Sequence, residues 1–158
     1  GFYVSDKEKK VAVVGGGVGI FPLIAAIREY SKTKQVYAYM GFRNRAAVCM
    51  EYDMTRGEKL VVATDDGSIG FHGTSVQAFM QDLDEVKPDV VLACGPTPML
   101  RALKVAMKDK NIPVYVSLEE RMGCGIGACL VCVCEKTDGA HARVCKDGPV
   151  FEIKDVVL

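Results

Sequence analysis

Four of the chain's seven cysteines fall within eleven residues of one stretch, RMGCGIGACLVCVC from Arg121 to Cys134, where three glycines surround the first two. Cys124, Cys129 and Cys132 have the spacing C-x4-C-x2-C, and Cys145 follows after twelve intervening residues. That is the spacing of plant-type [2Fe-2S] ligation. Two irons and two bridging sulfides need four thiolates around a small rhomb, so the chain must wrap tightly. Gly123, Gly125 and Gly127 are expected to allow this by taking positive φ and turning backbone N–H groups toward sulfur. Cys134, two residues beyond Cys132, would lie on the same face of a strand and is expected as a buried neighbouring thiol outside a ligand set already complete. The alternatives fit less well. A structural zinc site would show two C-x2-4-C knuckles, where only Cys129 and Cys132 make one. Disulfides suit neither an odd cysteine count nor a reducing compartment.

A second chemical signal lies in VAVVGGGVGIFPL, Val11 to Leu23, which reads as a strand, a glycine turn and a helix. Such turns suit a pyrophosphate, because the N–H groups and dipole of a helix start attract anions and glycines allow close approach. The candidates are Gly15, Gly16, Gly17, Val18 and Gly19. The run misses G-x-G-x-x-G, since counting from Gly15 or Gly17 ends on Ile20 or Pro22, so a tight packing turn remains an alternative. Three further strand ends add weight. Arg43 in MGFRN follows the second strand, and Asp65 and Asp66 in ATDDGS follow the third. An acid there would accept hydrogen bonds from ribose hydroxyls and repel a 2′-phosphate, favouring NADH over NADPH, although Asp-Gly is also a common turn pair. In ACGPTPML, Cys94 and Gly95 end the fourth strand and Pro96 and Pro98 open a helix carrying Met99, leaving room for a flat ring. Cys94 reads as a packing thiol there, because no histidine lies near it in sequence to activate it. The only two histidines, His72 and His141, read as surface residues.

The elements that must position these groups are legible as an alternation. Val11–Val14, Gln35–Met40, Lys59–Ala63, Val90–Ala93 and Pro113–Ser117 are short apolar runs without polar alternation, as expected of strands covered on both faces. Helical spacing runs over Ile20–Tyr30, about Ala46–Tyr52, Ser75–Leu83 and Thr97–Lys110. This order predicts an α/β fold, a doubly wound five-stranded parallel sheet with ligands at the carboxyl ends of its strands. After Ser117 the helical period stops, and residues 118–158 hold five of the seven cysteines. The expected organisation is a nucleotide-binding domain over 1–117 and a small cysteine-rich subdomain over 118–158.

Composition narrows the functional classes. With 158 residues the chain can bury one good core and an appendage. Twenty basic residues balance twenty acidic ones, which gives no electrostatic case for nucleic acid or an anionic membrane. No uninterrupted apolar run reaches the length of a membrane span, and GFYVSDKEKK lacks the features of a secretory signal, so a cytoplasmic location is expected.

Taken together, GGGVGIFPL, GFRN, TDDGSIG, ACGPTPML, SLEERMGCGIGACLVCVC and RVCKDGPVF resemble the electron-transfer subunits of class 1B dihydroorotate dehydrogenases, a branch of the ferredoxin-NADP reductase superfamily. The resemblance runs from about Lys10 to the end. It implies that NADH reduces FAD, that electrons pass singly to a [2Fe-2S] cluster, and that a catalytic flavoprotein subunit receives them in a hetero-oligomer. By the same resemblance Gly15 to Gly19 would hold the pyrophosphate, Asp65 and Asp66 the adenosine ribose, and Cys94 and Gly95 would flank the nicotinamide. Cys124, Cys129, Cys132 and Cys145 would bind iron. Members of the family carry an N-terminal FAD-binding β-barrel, which this sequence lacks. That implies a C-terminal fragment, inactive alone, whose share of the FAD site would lie around Glu119, Glu120 and the cysteine loop. Gamma-type subunits of cytosolic hydrogenases or sulfide dehydrogenases share these motifs, as do NADH-ferredoxin transhydrogenases. A non-catalytic nucleotide-binding domain with a structural metal is the remaining alternative.

Overall fold

A computed structural model describes all residues, 1–158. The five expected strands are present as β1 (Lys10–Gly16), β2 (Gln35–Phe42), β3 (Lys59–Thr64), β5 (Val90–Cys94) and β6 (Val114–Ser117). Two more strands lengthen the sheet to seven. The first, β4 (Phe71–His72), pairs parallel with β3, and the last, β9 (Val150–Glu152), pairs antiparallel with β6. The order is β4-β3-β2-β1-β5-β6-β9. Both additions are very short and sit at the edges, where no long apolar run is required. That is why the sequence pattern passes over them.

Residues on each strand alternate between two cores. Val11 and Val13 face Ile20, Leu23, Ile24 and Ile27 of α1 (Ile20–Tyr30). Ala12 and Val14 face the opposite side, where α3 (Ser75–Val86) and α4 (Thr97–Ala106) contribute Phe79, Leu83, Leu100 and Leu103. Phe79 is fully buried, and its ring meets Tyr39 edge-on at a centroid distance of 5.4 Å. Thr74 starts α3 with a reciprocal cap. Its hydroxyl accepts from the Gln77 N–H at 3.2 Å, and the Gln77 side chain accepts from the Thr74 N–H at 2.9 Å.

Two helices differ from expectation. Instead of one helix over 46–52 there is a 3-10 turn, Arg45–Ala47, and one α-helical turn, α2 (Glu51–Met54). Asn44 caps the first by accepting from the Ala47 N–H at 3.1 Å, and the left-handed Met50 at φ 57° separates the two. The expected helix over 97–110 stops at Ala106, with Met107 as its C-cap. A turn over Met107–Asp109 follows before the chain reaches Pro113.

Residues 118–158 form a lobe on the β6 side. β7 (Val133–Glu135) and β8 (His141–Arg143) make a hairpin, and the single turn α5 (Val144–Asp147) leads to β9. Cys132, Cys134, Ala142, Val144, Ile153 and Val156 join the same core as Phe79 and Leu103, so the lobe shares apolar packing with the sheet.

Truncating the ring at the centre of that shared core, Phe79→Ala, is expected to cost about 3–5 kcal/mol of stability. Urea unfolding followed by circular dichroism measures it, and a loss within error of zero would contradict the packing described.

Candidate nucleotide and iron–sulfur sites

The sheet's strand order reverses direction between β1 and β5, where connections leave to opposite sides and a crevice opens at the carboxyl ends. Gly15 pairs there with Cys94. The two turns leaving these strands touch. A Cβ on Gly19 would lie 2.6 Å from the Cα of Gly95, so no side chain fits at Gly19. Gly16 and Gly95 likewise give their space to the thioether of Met99, whose sulfur accepts from the Ser75 hydroxyl at 3.5 Å. Met99 is thus a wedge between the glycine turns, with Pro96 packed beside it. Gly17 has φ 55° and opens to free space, and Val18 is exposed. No side chain caps the start of α1 and no acid lies in its first turn, so its positive end faces the crevice unopposed.

The acids and arginine expected at the second and third strand ends lie at the same edge of the sheet, and all three are exposed. The Asp65 N–H donates to the Phe42 carbonyl, and the Asp66 N–H to that of Arg43, which ties the two loops together. The two carboxylates differ in environment. Asp66 accepts from the Ser68 N–H at 3.0 Å and from the Ser68 hydroxyl at 2.5 Å, and that hydroxyl in turn accepts from the Arg45 N–H. These bonds, the hydroxyl's first, hold the Asp66 carboxyl below the usual aspartate range. Asp65 carries no such bonds and is the one free to meet a ligand.

Cys94 is wholly buried. Burial, with a smaller contribution from the nearby Glu119 carboxylate 4.0 Å from its sulfur, pushes its thiol up to about 11. Such a thiol packs and does not attack. Glu119 itself is exposed just past β6. The two principal clefts lie elsewhere. One of about 310 Å³ runs between α1 and Ser117, Pro149 and Val150, and one of about 490 Å³ lies at the far end of α4.

In the lobe the four spaced cysteines form two pairs. The Cys124 N–H points at the Cys129 sulfur at 3.4 Å, and the Cys145 N–H at the Cys132 sulfur, also at 3.4 Å. The Cys124 sulfur accepts from the N–H groups of Ala128, Cys129 and Ile126 at 3.2, 3.4 and 3.5 Å. Those bonds, led by that of Ile126, lower its thiol to about 6. Cys132 is lowered as well, chiefly by the Cys145 N–H, whereas Cys145 is raised, first by its thiol's bond to Cys132. No three potential ligands converge on a single metal ion. A centre with two irons would need two protein thiolates at each iron. Cys134 is buried beside Cys132, and burial raises its thiol.

The loop glycines divide their work differently from the expectation of three positive φ angles. Gly125 and Gly127 have φ 70° and 81°. Gly123 does not take positive φ; it is needed because a Cβ there would lie 2.8 Å from the Cys129 sulfur. Sequence reasoning missed Leu130, which holds φ 61°, and the Arg143–Asp147 ion pair beside Cys145. Only the four-residue spacing of opposite charges in RVCKD signalled that pair.

A Rossmann-like crevice with a cysteine-paired lobe on its edge is the architecture of a ferredoxin-reductase-type nucleotide-binding domain joined to a cysteine-rich module. Residues 119–157 match the family described as the iron–sulfur cluster binding domain of dihydroorotate dehydrogenase B. Over 96% of its length the chain is 45% identical to the electron transfer subunit of dihydroorotate dehydrogenase B (NAD(+)) from Geobacillus kaustophilus, and over 94% it is 45% identical to that of Bacillus caldolyticus. The chain is similar to these electron transfer subunits along nearly its whole length, and it spans 58% of the length of each of these two relatives. Among solved structures, an NADH-dependent reduced ferredoxin-NADP oxidoreductase superposes with a TM-score of 0.83 at 28% identity, covering 94% of this chain and 54% of the other. The C-terminal domain of a Pyrococcus furiosus hydrogenase shares the fold, with a TM-score of 0.55 at 14% identity over 70% of this chain and 91% of its own.

The thiol environments give a test on the cluster-free chain. Cys124 should alkylate with iodoacetamide at a rate rising through about pH 6, because its thiolate is the reactive form and predominates above that value. Cys94, pushed up to about 11 and buried, should stay unlabelled at pH 7. Peptide mapping by mass spectrometry reads both, and equal labelling of the two would refute these environments.

Proposed function

We propose that this chain is the nucleotide-binding and cluster-binding part of an NADH-dependent electron relay that serves a dihydroorotate dehydrogenase. The observation that carries the reading is the pairing of Cys124 with Cys129 and of Cys132 with Cys145 in a lobe joined to the sheet. When bound, the nicotinamide supplies a hydride, the flavin divides its two electrons and the [2Fe-2S] cluster carries them one at a time.

The chain's own residues bind, orient and tune. Gly15, Gly16, Gly17, Val18 and Gly19 bring backbone and a helix start against the pyrophosphate, and Gly95, Pro96 and Met99 shape the floor beneath the nicotinamide. Cys94 underlies that floor as a neutral thiol. Arg43 and Asp65 line the adenosine end, where the Asp65 carboxylate meets the ribose hydroxyls and repels a 2′-phosphate. Asp66 serves by holding Ser68 and, through it, the Arg45 backbone. Glu119 lies between the nicotinamide floor and the cysteine lobe, on the side where this chain would meet FAD. Cys124, Cys129, Cys132 and Cys145 hold the cluster, and the N–H groups on the Cys124 sulfur stabilise negative charge there.

Met122, Ile126, Leu130 and Val131 are each more than half exposed around these cysteines. An apolar rim of that kind suits a face covered by another subunit, and the catalytic subunit that receives the electrons fits it best. Identity to dihydroorotate dehydrogenase subunits well above that to the ferredoxin-NADP oxidoreductase favours that partner over a hydrogenase or a ferredoxin.

Anaerobic purification should yield two irons and two acid-labile sulfides per chain with a rhombic EPR signal on reduction, following the cluster type. Cys129→Ser and Cys132→Ser should lose that signal while the fold persists; zinc in place of iron and sulfide in the fully loaded protein would rule the relay out. Asp65→Asn should narrow the preference for NADH over NADPH about tenfold, through loss of one charged hydrogen bond. Asp66→Asn should act mainly on stability.

A further inference from the structure

The two cysteine pairs reside on separate pieces of chain, and one side chain joins them. Cys124 and Cys129 belong to the irregular loop ending at Cys129, whereas Cys132 and Cys145 flank the β7–β8 hairpin. Arg143 reaches from the hairpin and donates from Nη1 to the Gly127 carbonyl at 3.1 Å, in the middle of the loop. Its other nitrogens are occupied by Asp147. Nε donates to Oδ2 at 3.0 Å and Nη2 to Oδ1 at 3.2 Å, and Oδ2 also accepts from the Arg143 backbone N–H at 2.8 Å. The fork is thereby fixed before it meets the loop. Gly127 admits the contact, because a Cβ there would lie within 3.4 Å of Arg143 Nη1 and against the stem of Lys146.

We propose that Arg143, oriented by Asp147, is a positioning residue that fastens the Cys124–Cys129 loop onto the Cys132–Cys145 half and places a fixed positive charge beside the reduced cluster. The inference rests on the cluster assignment above and adds a residue to it. Arginine suits the task because one planar group satisfies the carboxylate and the carbonyl at once. A lysine could supply the charge but only one of the two connections. A cluster held by these cysteines would carry more negative charge when reduced, so a guanidinium fixed on the Gly127 carbonyl, between Cys124 and Cys129, would favour the reduced state over the oxidised one.

The test uses the chain loaded with its cluster, reading release to a chelator by visible absorbance and the midpoint potential by EPR-monitored titration. Arg143→Gln should release the cluster about tenfold faster, the scale set by the loss of a partner that orients metal ligands, and should have a lower midpoint. Arg143→Lys should release nearly as fast but keep a midpoint close to that of the unaltered chain. Asp147→Asn should speed release without removing the guanidinium, and it carries the test if Arg143→Gln does not fold. Unchanged release and midpoint in Arg143→Gln, or unchanged release in both Arg143→Lys and Asp147→Asn, overturns the proposal. Absence of acid-labile sulfide from the unaltered chain would instead remove the cluster assignment, a separate failure visible before any variant is made.

Discussion

The close approach of two backbone turns governs the nucleotide end of this molecule. Gly19 lies against Gly95 with no room for a side chain, because β1 and β5 are neighbours whose following segments depart to opposite sides. That divergence opens the crevice, and the absence of Cβ atoms lets both turns line it with main chain. Met99 then fills the gap that the glycines leave. A phosphate-bearing ligand placed here would meet amide dipoles, which cannot titrate away or swing out of reach.

The lobe solves a different problem with similar means. Sulfurs that are to carry negative charge as ligands would have to be gathered without being buried in an apolar medium, where isolated anions are costly. The chain leaves Cys124 and Cys129 exposed and surrounds the Cys124 sulfur with three N–H groups of its own loop. Cys132 is instead anchored in the core shared with α3 and α4, so one pair is rooted and the other sits on a wrapped loop. The Arg143 fork ties the second to the first.

Much of this was legible in the residues. The five long strands were readable, because continuous apolar runs are a strong local pattern, and the spacing singled out the four cysteines that the fold brings into two pairs. The glycine turn was also legible despite its irregular motif. Less so were features that depend on what lies opposite in space. The edge strands β4 and β9 are too short to carry a pattern, and the break at 45–54 depends on an Asn44 cap and a left-handed Met50. The unlike environments of Asp65 and Asp66 follow from Ser68, and the need for glycine at 123 follows from a sulfur six residues away. Periodicity reports none of these.

The antiparallel pairing of β9 with β6 gives the cysteine lobe a protective duty as well. A strand at the rim of a sheet offers unsatisfied amides to any passing polypeptide, and β6 would be such a rim if the chain ended at Ser117. By folding back to occupy that rim, the last residues guard the sheet against sticking to its own copies. Excising the residues after Ser117 would thus threaten solubility.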